Sequence, residues 1–294
     1  MVRDRKNWVI IGCGYTGARL GRRLAADGCA VAITRRTAAA AAETARAIGP
    51  GVVGFALAVE DPAALAERVV PGAAVVIASP PSSDPAGERA LIDAAAGAGA
   101  ARAVYLSSTG VYPASPDGAW MDEDTPPSPT GPRGAARLAA ETATLDAAAA
   151  RGLDAIALRI AGIYGPGRGV AARLRAGSYR IVGAGDSFVS RVHVDDLVSA
   201  IIAAGTVDPL PFHLANVADD EPAPSADVAD ELARALGLPP PPRVSLDDAD
   251  PDAVAMLTAN RRVSNRRLVD GLGVALRYPT WREGMLGGAL LEDE

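Results

Sequence analysis

The stretch VIIGCGYTGARLGRRLAADG, residues 9–28, constrains this chain more than any other. A short apolar run reaches Gly12, turns through Gly14 and Gly17, and continues as a pattern with helical spacing. Glycines two and three apart permit a tight turn and leave room where side chains would stand. The first amides of the following helix then converge on one spot, a ready anion site. Strand, triplet and helix together form the fingerprint of a turn that cradles a dinucleotide pyrophosphate. Gly12, Gly14, Tyr15, Thr16 and Gly17 are therefore cofactor-binding candidates, with Tyr15 expected to cover the cofactor.

The same alternation continues. Strand-like runs fall at 8–12, 30–34, 52–57, 73–79, 103–108 and 154–160, with helix-like segments near 16–27, 38–48, 62–68, 86–98 and 133–151. Unbroken apolar strands alternating with helices imply a parallel sheet covered on both faces. The expected fold is α/β, a doubly wound Rossmann sheet with a smaller, mostly helical C-terminal lobe. The expected division is 1–165 and 166–294, with 190–217 returning to the first domain. In the second half, helices are expected near 194–204, 225–236 and 281–287, the first capped by Asp195 or Asp196. Proline-rich loops at 79–85 and 113–132 follow strand ends, where ligand crevices form.

Composition excludes several classes. A net charge of −6 and 4% aromatic residues disfavour nucleic-acid binding. The two cysteines, Cys13 and Cys29, lie in apolar contexts without metal-ligand spacing, and with only two histidines no metal site is expected. No apolar stretch has the length of a membrane span, so a cytoplasmic protein is expected.

The second strand ends in AITRRT, without the acidic residue that grips a free ribose 2′-hydroxyl. Arg35 and Arg36 suit a 2′-phosphate through charge-assisted contacts, with Thr34 or Thr37 adding a hydroxyl. The expectation is NADP rather than NAD.

Further motifs follow in order: YLSSTGVYP (105–113), DEDTPPSP (122–129), LRIAGIYGPGRG (158–169), SRVHVDDLVSAI (190–201) and HLANVADDEPAP (213–224). With GCGYTG they resemble the short-chain dehydrogenase/reductase superfamily, in its extended and atypical branch of NAD(P)-dependent epimerases and dehydratases. The resemblance implies that Ser108, with Thr109 as second candidate, hydrogen-bonds the reacting oxygen of a substrate. Ser79 would pass beside the cofactor ribose, Ala161–Ile163 would approach the nicotinamide, and Arg159 would be structural. Arg191 and His193 would face a small, polar, anionic substrate, His193 being equally readable as a buried structural residue.

The branch uses a tyrosine four residues before a lysine, with a glutamate four further on. That frame resembles RGAARLAAE, which puts Arg133, Arg137 and Glu141 in those places. Arginine keeps its proton above pH 12 and is no reversible proton shuttle. Arg137 can hold ribose hydroxyls, and Arg133 either clamps an anionic substrate or faces water. Tyr112, Tyr164, His193 and a water are the alternative acids, and the run Asp122–Asp124 either offers a carboxylate or, as the blander reading, is solvated charge. Three functions stay open: an atypical NADP-dependent oxidoreductase acting on a polar carbonyl, alcohol or sugar-nucleotide-like substrate, a non-catalytic NADP(H)-sensing regulatory or scaffold protein, and a nucleotide-sugar epimerase or dehydratase. The resemblance also implies a homodimer through the 133–151 helix.

Overall fold

A computed structural model describes residues 6–58 and 62–287. Seven parallel strands form its sheet: β1 (Asn7–Ile11), β2 (Ala30–Arg35), β3 (Val52–Ala56), β4 (Ala74–Ile77), β5 (Arg102–Ser108), β6 (Ala155–Ile160) and β7 (Leu214–Val217). Their order across the sheet is β7-β6-β5-β4-β1-β2-β3. β1 pairs with β2 on one side (Trp8 with Val31) and with β4 on the other (Trp8 with Ala74). The strand order therefore reverses beside β1, which places the crevice at its carboxyl end.

The helices are α1 (Tyr15–Ala26), α2 (Ala38–Ile48), α3 (Ala63–Ala66), α4 (Ala86–Gly97), α5 (Pro132–Arg151), α6 (Val170–Arg175), α7 (Val194–Thr206), α8 (Ser225–Ala235), α9 (Pro251–Leu257) and α10 (Trp281–Leu286). Successive strand residues point to opposite faces, which gives one sheet two cores. Trp8 and Ile10 pack with Leu20, Leu24, Leu197 and Ile201 under α1 and α7. Val9 and Ile11 pack with Leu91, Ile92, Ala140 and Ala147 under α4 and α5. Pro132 opens α5 at a position where its missing amide costs nothing, and Gly152 ends it in the left-handed conformation, φ 63°.

A third cluster holds Tyr164, Tyr179, Leu232, Trp281 and Met285 and forms the core of the C-terminal part. Short strand pairs tie that part to the sheet: Arg191–His193 lies parallel to Gly162–Tyr164, and Arg262–Val263 parallel to Trp120–Met121.

The six strands expected from the sequence are present, with ends moved by up to two residues. β7 is the addition. Its four residues are too short a run to announce a strand, and only pairing with β6 makes them one. The cap of α7 is neither Asp195 nor Asp196: the His193 side chain accepts from the Asp195 amide. Among the described residues, no helix is long and apolar enough to cross a membrane.

Candidate functional site at the carboxyl ends of β1, β4 and β5

The glycine turn is built against the neighbouring strand end. Gly12 has φ +80°, and a Cβ there would lie 2.6 Å from the Ser79 backbone, so both conformation and space require glycine. A Cβ on Gly14 would meet nothing within 4 Å, leaving that flank of the turn open. Gly14 is also the residue before α1, which has no side-chain cap hydrogen bond. A helix start without a side-chain cap carries the positive end of its dipole. The Ser79 Oγ is buried beside this turn without a hydrogen-bond partner.

Thr34 departs from its expected role. It is buried, and its hydroxyl accepts from the Gly12 amide at 3.0 Å, holding the turn from beneath rather than facing a 2′-phosphate. Thr37 is the N-cap of α2 and accepts from the Ala40 amide. Arg35 and Arg36 are exposed at the end of β2, and Arg35 Nη1 donates to the Cys13 carbonyl at 2.9 Å. That bond folds Arg35 alongside the glycine turn. Cys13 is buried there, and desolvation pushes its thiol up to about 11, so it is inert.

Tyr15 stands at the first position of α1. Its hydroxyl donates to the Pro166 carbonyl at 3.0 Å, tying the start of α1 to the turn after Tyr164. Thr16 and Gly17 follow on the first turn of the helix, Gly17 buried against Ile10 and Cys13.

On α5, Arg133 is exposed and Arg137 turns inward. Arg137 Nη1 donates to the Leu106 carbonyl at 3.0 Å, to the Tyr105 hydroxyl at 3.3 Å and weakly to the Ser79 carbonyl at 3.4 Å. One guanidinium nitrogen thus bridges the ends of β4 and β5. Ser108 closes β5. Its Oγ accepts from the Gly110 amide at 3.0 Å, which leaves its own proton to donate, and neither it nor Thr109 is fully buried.

Behind Ser108 runs a buried polar chain. The Ser107 hydroxyl donates to Glu141 at 2.5 Å, and Glu141 receives Arg159 through Nη2 at 2.6 Å and Nε at 3.2 Å. Arg159 lies 4.8 Å over the Tyr112 ring, and Tyr112 donates to Asn216 Oδ1 at 2.8 Å. The Asn216 amide in turn donates to Glu123 Oε1 at 2.7 Å. Glu123 is therefore not solvated charge but a buried acceptor, and desolvation raises its pKa. Sequence reasoning missed this because its neighbours Asp122 and Asp124 are exposed.

None of the alternative acids on the chain itself, Tyr112, Tyr164 and His193, is poised for exchange. Burial raises the phenol pKa of Tyr112 and of Tyr164, and pushes Tyr105 up to about 12. His193 is buried, and desolvation lowers it to about 4, against the smaller opposing pull of Asp195. Its Nδ1 is committed to the α7 amide at 3.1 Å, so it is a neutral cap and not an open substrate ligand. Arg191 is likewise enclosed rather than displayed in a cleft, donating through Nη1 to the Val189 carbonyl at 2.8 Å.

The fold and the glycine turn define a protein of the Rossmann class whose crevice gathers the ends of β1, β4 and β5. Comparison narrows this: the chain belongs to the NAD dependent epimerase/dehydratase family, whose model matches residues 8–210. It is 35% identical over 217 residues to a 3-diazoavenalumate denitrifying reductase of a Streptomyces species, spanning 66% of this chain and 67% of that protein. It superposes on a conserved protein of unknown function from Silicibacter pomeroyi DSS with a TM-score of 0.81 and 36% identity, covering 97% and 98% of the two chains. A dTDP-glucose 4,6-dehydratase from Streptomyces venezuelae, solved with NAD and TYD, shares the fold at a TM-score of 0.77 and 19% identity, covering 95% and 94%.

Proposed function

We propose that this chain is an atypical NADP-dependent oxidoreductase, working in the cytoplasm on a small, polar, anionic carbonyl or alcohol substrate. The observation that carries the reading is the turn around Gly12. It has a cradle that a Cβ would fill, an open flank at Gly14, an uncapped helix start and an orphaned Ser79 hydroxyl. Those features fit a pyrophosphate and its ribose. Arg35 and exposed Arg36 favour a 2′-phosphate over a free 2′-hydroxyl.

NADP, when bound, supplies hydride exchange at nicotinamide C4. The protein's own contribution is orientation. Arg137, already anchored through Nη1, presents the rest of its fork to ribose hydroxyls, as a lysine would in the related dehydrogenases. Ser108 donates its hydroxyl proton in a hydrogen bond to the substrate oxygen, and Arg133 attracts the anionic end of the substrate. With no tyrosine on α5 and the nearby phenols buried, the exchanged proton comes from water. The reductase named among the relatives supports turnover in the reducing direction.

Calorimetric titration with NADPH and NADH tests the cofactor, and NADPH consumption with aldehydes, keto acids and sugar nucleotides tests the reaction. Tighter NADPH binding and consumption with a carbonyl acid are expected. Equal or tighter NADH binding overturns the NADP preference. Arg133 and Arg137 near the start of α5 favour one alternative, an NADP(H)-sensing protein without turnover; tight binding with no consumption across the panel would establish that instead. Turnover of a sugar nucleotide alone would make it an epimerase or dehydratase. The exposed alanines of α5, including Ala135, Ala136 and Ala139, suit pairing with the same helix of a second copy, which light scattering would read as a dimer.

A further inference from the structure

The turn after Tyr164 brings a second cationic element to the glycine turn from 150 residues away in the chain. Gly165 and Arg168 exchange backbone hydrogen bonds, at 3.1 Å and 2.9 Å, with Pro166 and Gly167 at the tip. Proline followed by glycine at φ +70° is the pattern of a type II turn, which is stiff. Its Pro166 carbonyl accepts from both the Tyr15 hydroxyl, at 3.0 Å, and Arg19 Nη2, at 3.2 Å. The turn is thereby fixed on the first residue of α1.

Two guanidinium groups meet there. Arg19 lies 3.8 Å from the centroid of the Tyr15 ring, and Arg168 lies 5.2 Å from it. Neither makes an ion pair with a carboxylate among the described residues, and Arg168 is exposed. Two like charges drawn to one ring, uncompensated and beside an uncapped helix start, make a concentrated positive field. Such an arrangement is costly without an anion and favourable with one.

We propose that Arg168, steadied by Tyr15 and partnered by Arg19, is a diphosphate-binding residue that straps the cofactor's pyrophosphate to the glycine turn. This rests on the cofactor reading given under Proposed function. It assigns the two arginine pairs different ligand atoms: Arg35 and Arg36 read the 2′-phosphate, whereas Arg19 and Arg168 hold the diphosphate common to both nicotinamide cofactors. The strap also links cofactor binding to the C-terminal part, because Arg168 stands two residues before α6.

Four probes separate these roles by calorimetric titration: NADPH, NADH, ADP and 2′-AMP. Arg168→Met is expected to weaken NADPH, NADH and ADP alike, by roughly tenfold or more, and to leave 2′-AMP unchanged. Arg35→Ala is expected to do the reverse, weakening NADPH and 2′-AMP while sparing NADH and ADP. Arg168→Lys should recover part of the loss by retaining charge. Because Arg168 is exposed, the melting temperature of each variant should match the parent, which excludes misfolding as the cause. Unchanged ADP and NADH affinity in Arg168→Met overturns the assignment while leaving the cofactor reading intact. A loss confined to NADPH and 2′-AMP would move Arg168 to the 2′-phosphate and equally overturn it. Failure of the parent protein to bind any of the four overturns the cofactor reading, and this assignment with it.

Discussion

The Gly12 amide donates to the Thr34 hydroxyl over 3.0 Å, so the end of β2 holds the glycine turn in shape from below. The bond is partly buried, with Thr34 itself enclosed, and without it the Gly12 amide loses its hydrogen-bond partner. Thr34→Val, nearly isosteric, should cost on the order of 1 kcal/mol, the penalty of a partly buried donor left unsatisfied, while Thr34→Ser should cost less. Urea denaturation of the three proteins would measure it. Cofactor affinity should fall with the same ranking.

Gly12→Ala should be more severe. The new methyl would sit 2.6 Å from the Ser79 backbone at a φ that side chains avoid. A destabilisation of roughly 2–4 kcal/mol is expected, with loss of nucleotide binding. Gly14→Ala adds a methyl in open space, so its fold should survive while pyrophosphate binding weakens. Comparing denaturation midpoints with titrations separates the two effects.

Glu141 and Arg159 form a nearly enclosed ion pair, each side chain 4% exposed. Removing one partner by Glu141→Ala strands a buried guanidinium and should cost about 3–5 kcal/mol. The double change Glu141→Leu with Arg159→Met should recover much of that loss, because two charges no longer need to be kept from water. A double-mutant cycle in urea measures both.

Acidity acts on His193 and Asp219 in opposite directions. His193 goes from an ordinary 6.5 to about 4 on folding, chiefly through burial, with Asp195 opposing and Arg277 and Arg19 adding to the shift. Between those values the unfolded chain binds the extra proton, so stability falls as pH drops from about 6.5 to 4, by about 3 kcal/mol. His193→Asn, which keeps a cap acceptor, should flatten this slope. Asp219, 2% exposed, is raised by burial from 3.8 to about 8, only partly offset by Arg191. There the folded chain holds the proton, so its contribution falls as pH rises from about 4 to 8, and Asp219→Asn should be more stable than the parent at pH 8. Thermal melts across pH 4–8 read both.

If α5 carries a rewritten dehydrogenase centre, restoring its residues should change chemistry more than fold. Arg133→Tyr is an exposed substitution and should alter stability by under about 0.5 kcal/mol. Arg137→Lys gives up the bonds from Nη1 to the β4 and β5 ends and should cost more, on the order of 1 kcal/mol. An increase in NADPH-dependent carbonyl reduction by the double variant, lost at alkaline pH as the new phenol gives up the proton it must donate, would identify the helix start as the proton-transfer position.

Much of the fold was legible because its signals are local. Apolar runs such as VVIAS and VYLSS and the glycine turn each declare themselves within a few residues, and their alternation with helices dictates a parallel sheet. β7 escaped notice because LANV is short and becomes a strand only by pairing with β6. The site was legible in its residue positions and not in their uses. Gly12, Ser79, Ser108 and Arg137 do gather at neighbouring strand ends. Thr34, Arg191 and, in one of its two readings, His193 are expected ligand contacts, yet each commits a polar atom to the protein's own backbone.

The amino-acid order by itself determined the sheet, the sharp turn at Gly12 and the absence of tyrosine from α5. Those depend on side-chain period, backbone freedom and residue identity. Only the tertiary structure decided that Arg137 bridges Ser79 and Leu106, that Glu123 is buried under Asn216, and that Arg168 leans on Tyr15. These partners lie 31 to 153 residues apart, and no local pattern encodes a contact set by which strands lie side by side and how the C-terminal part packs on them.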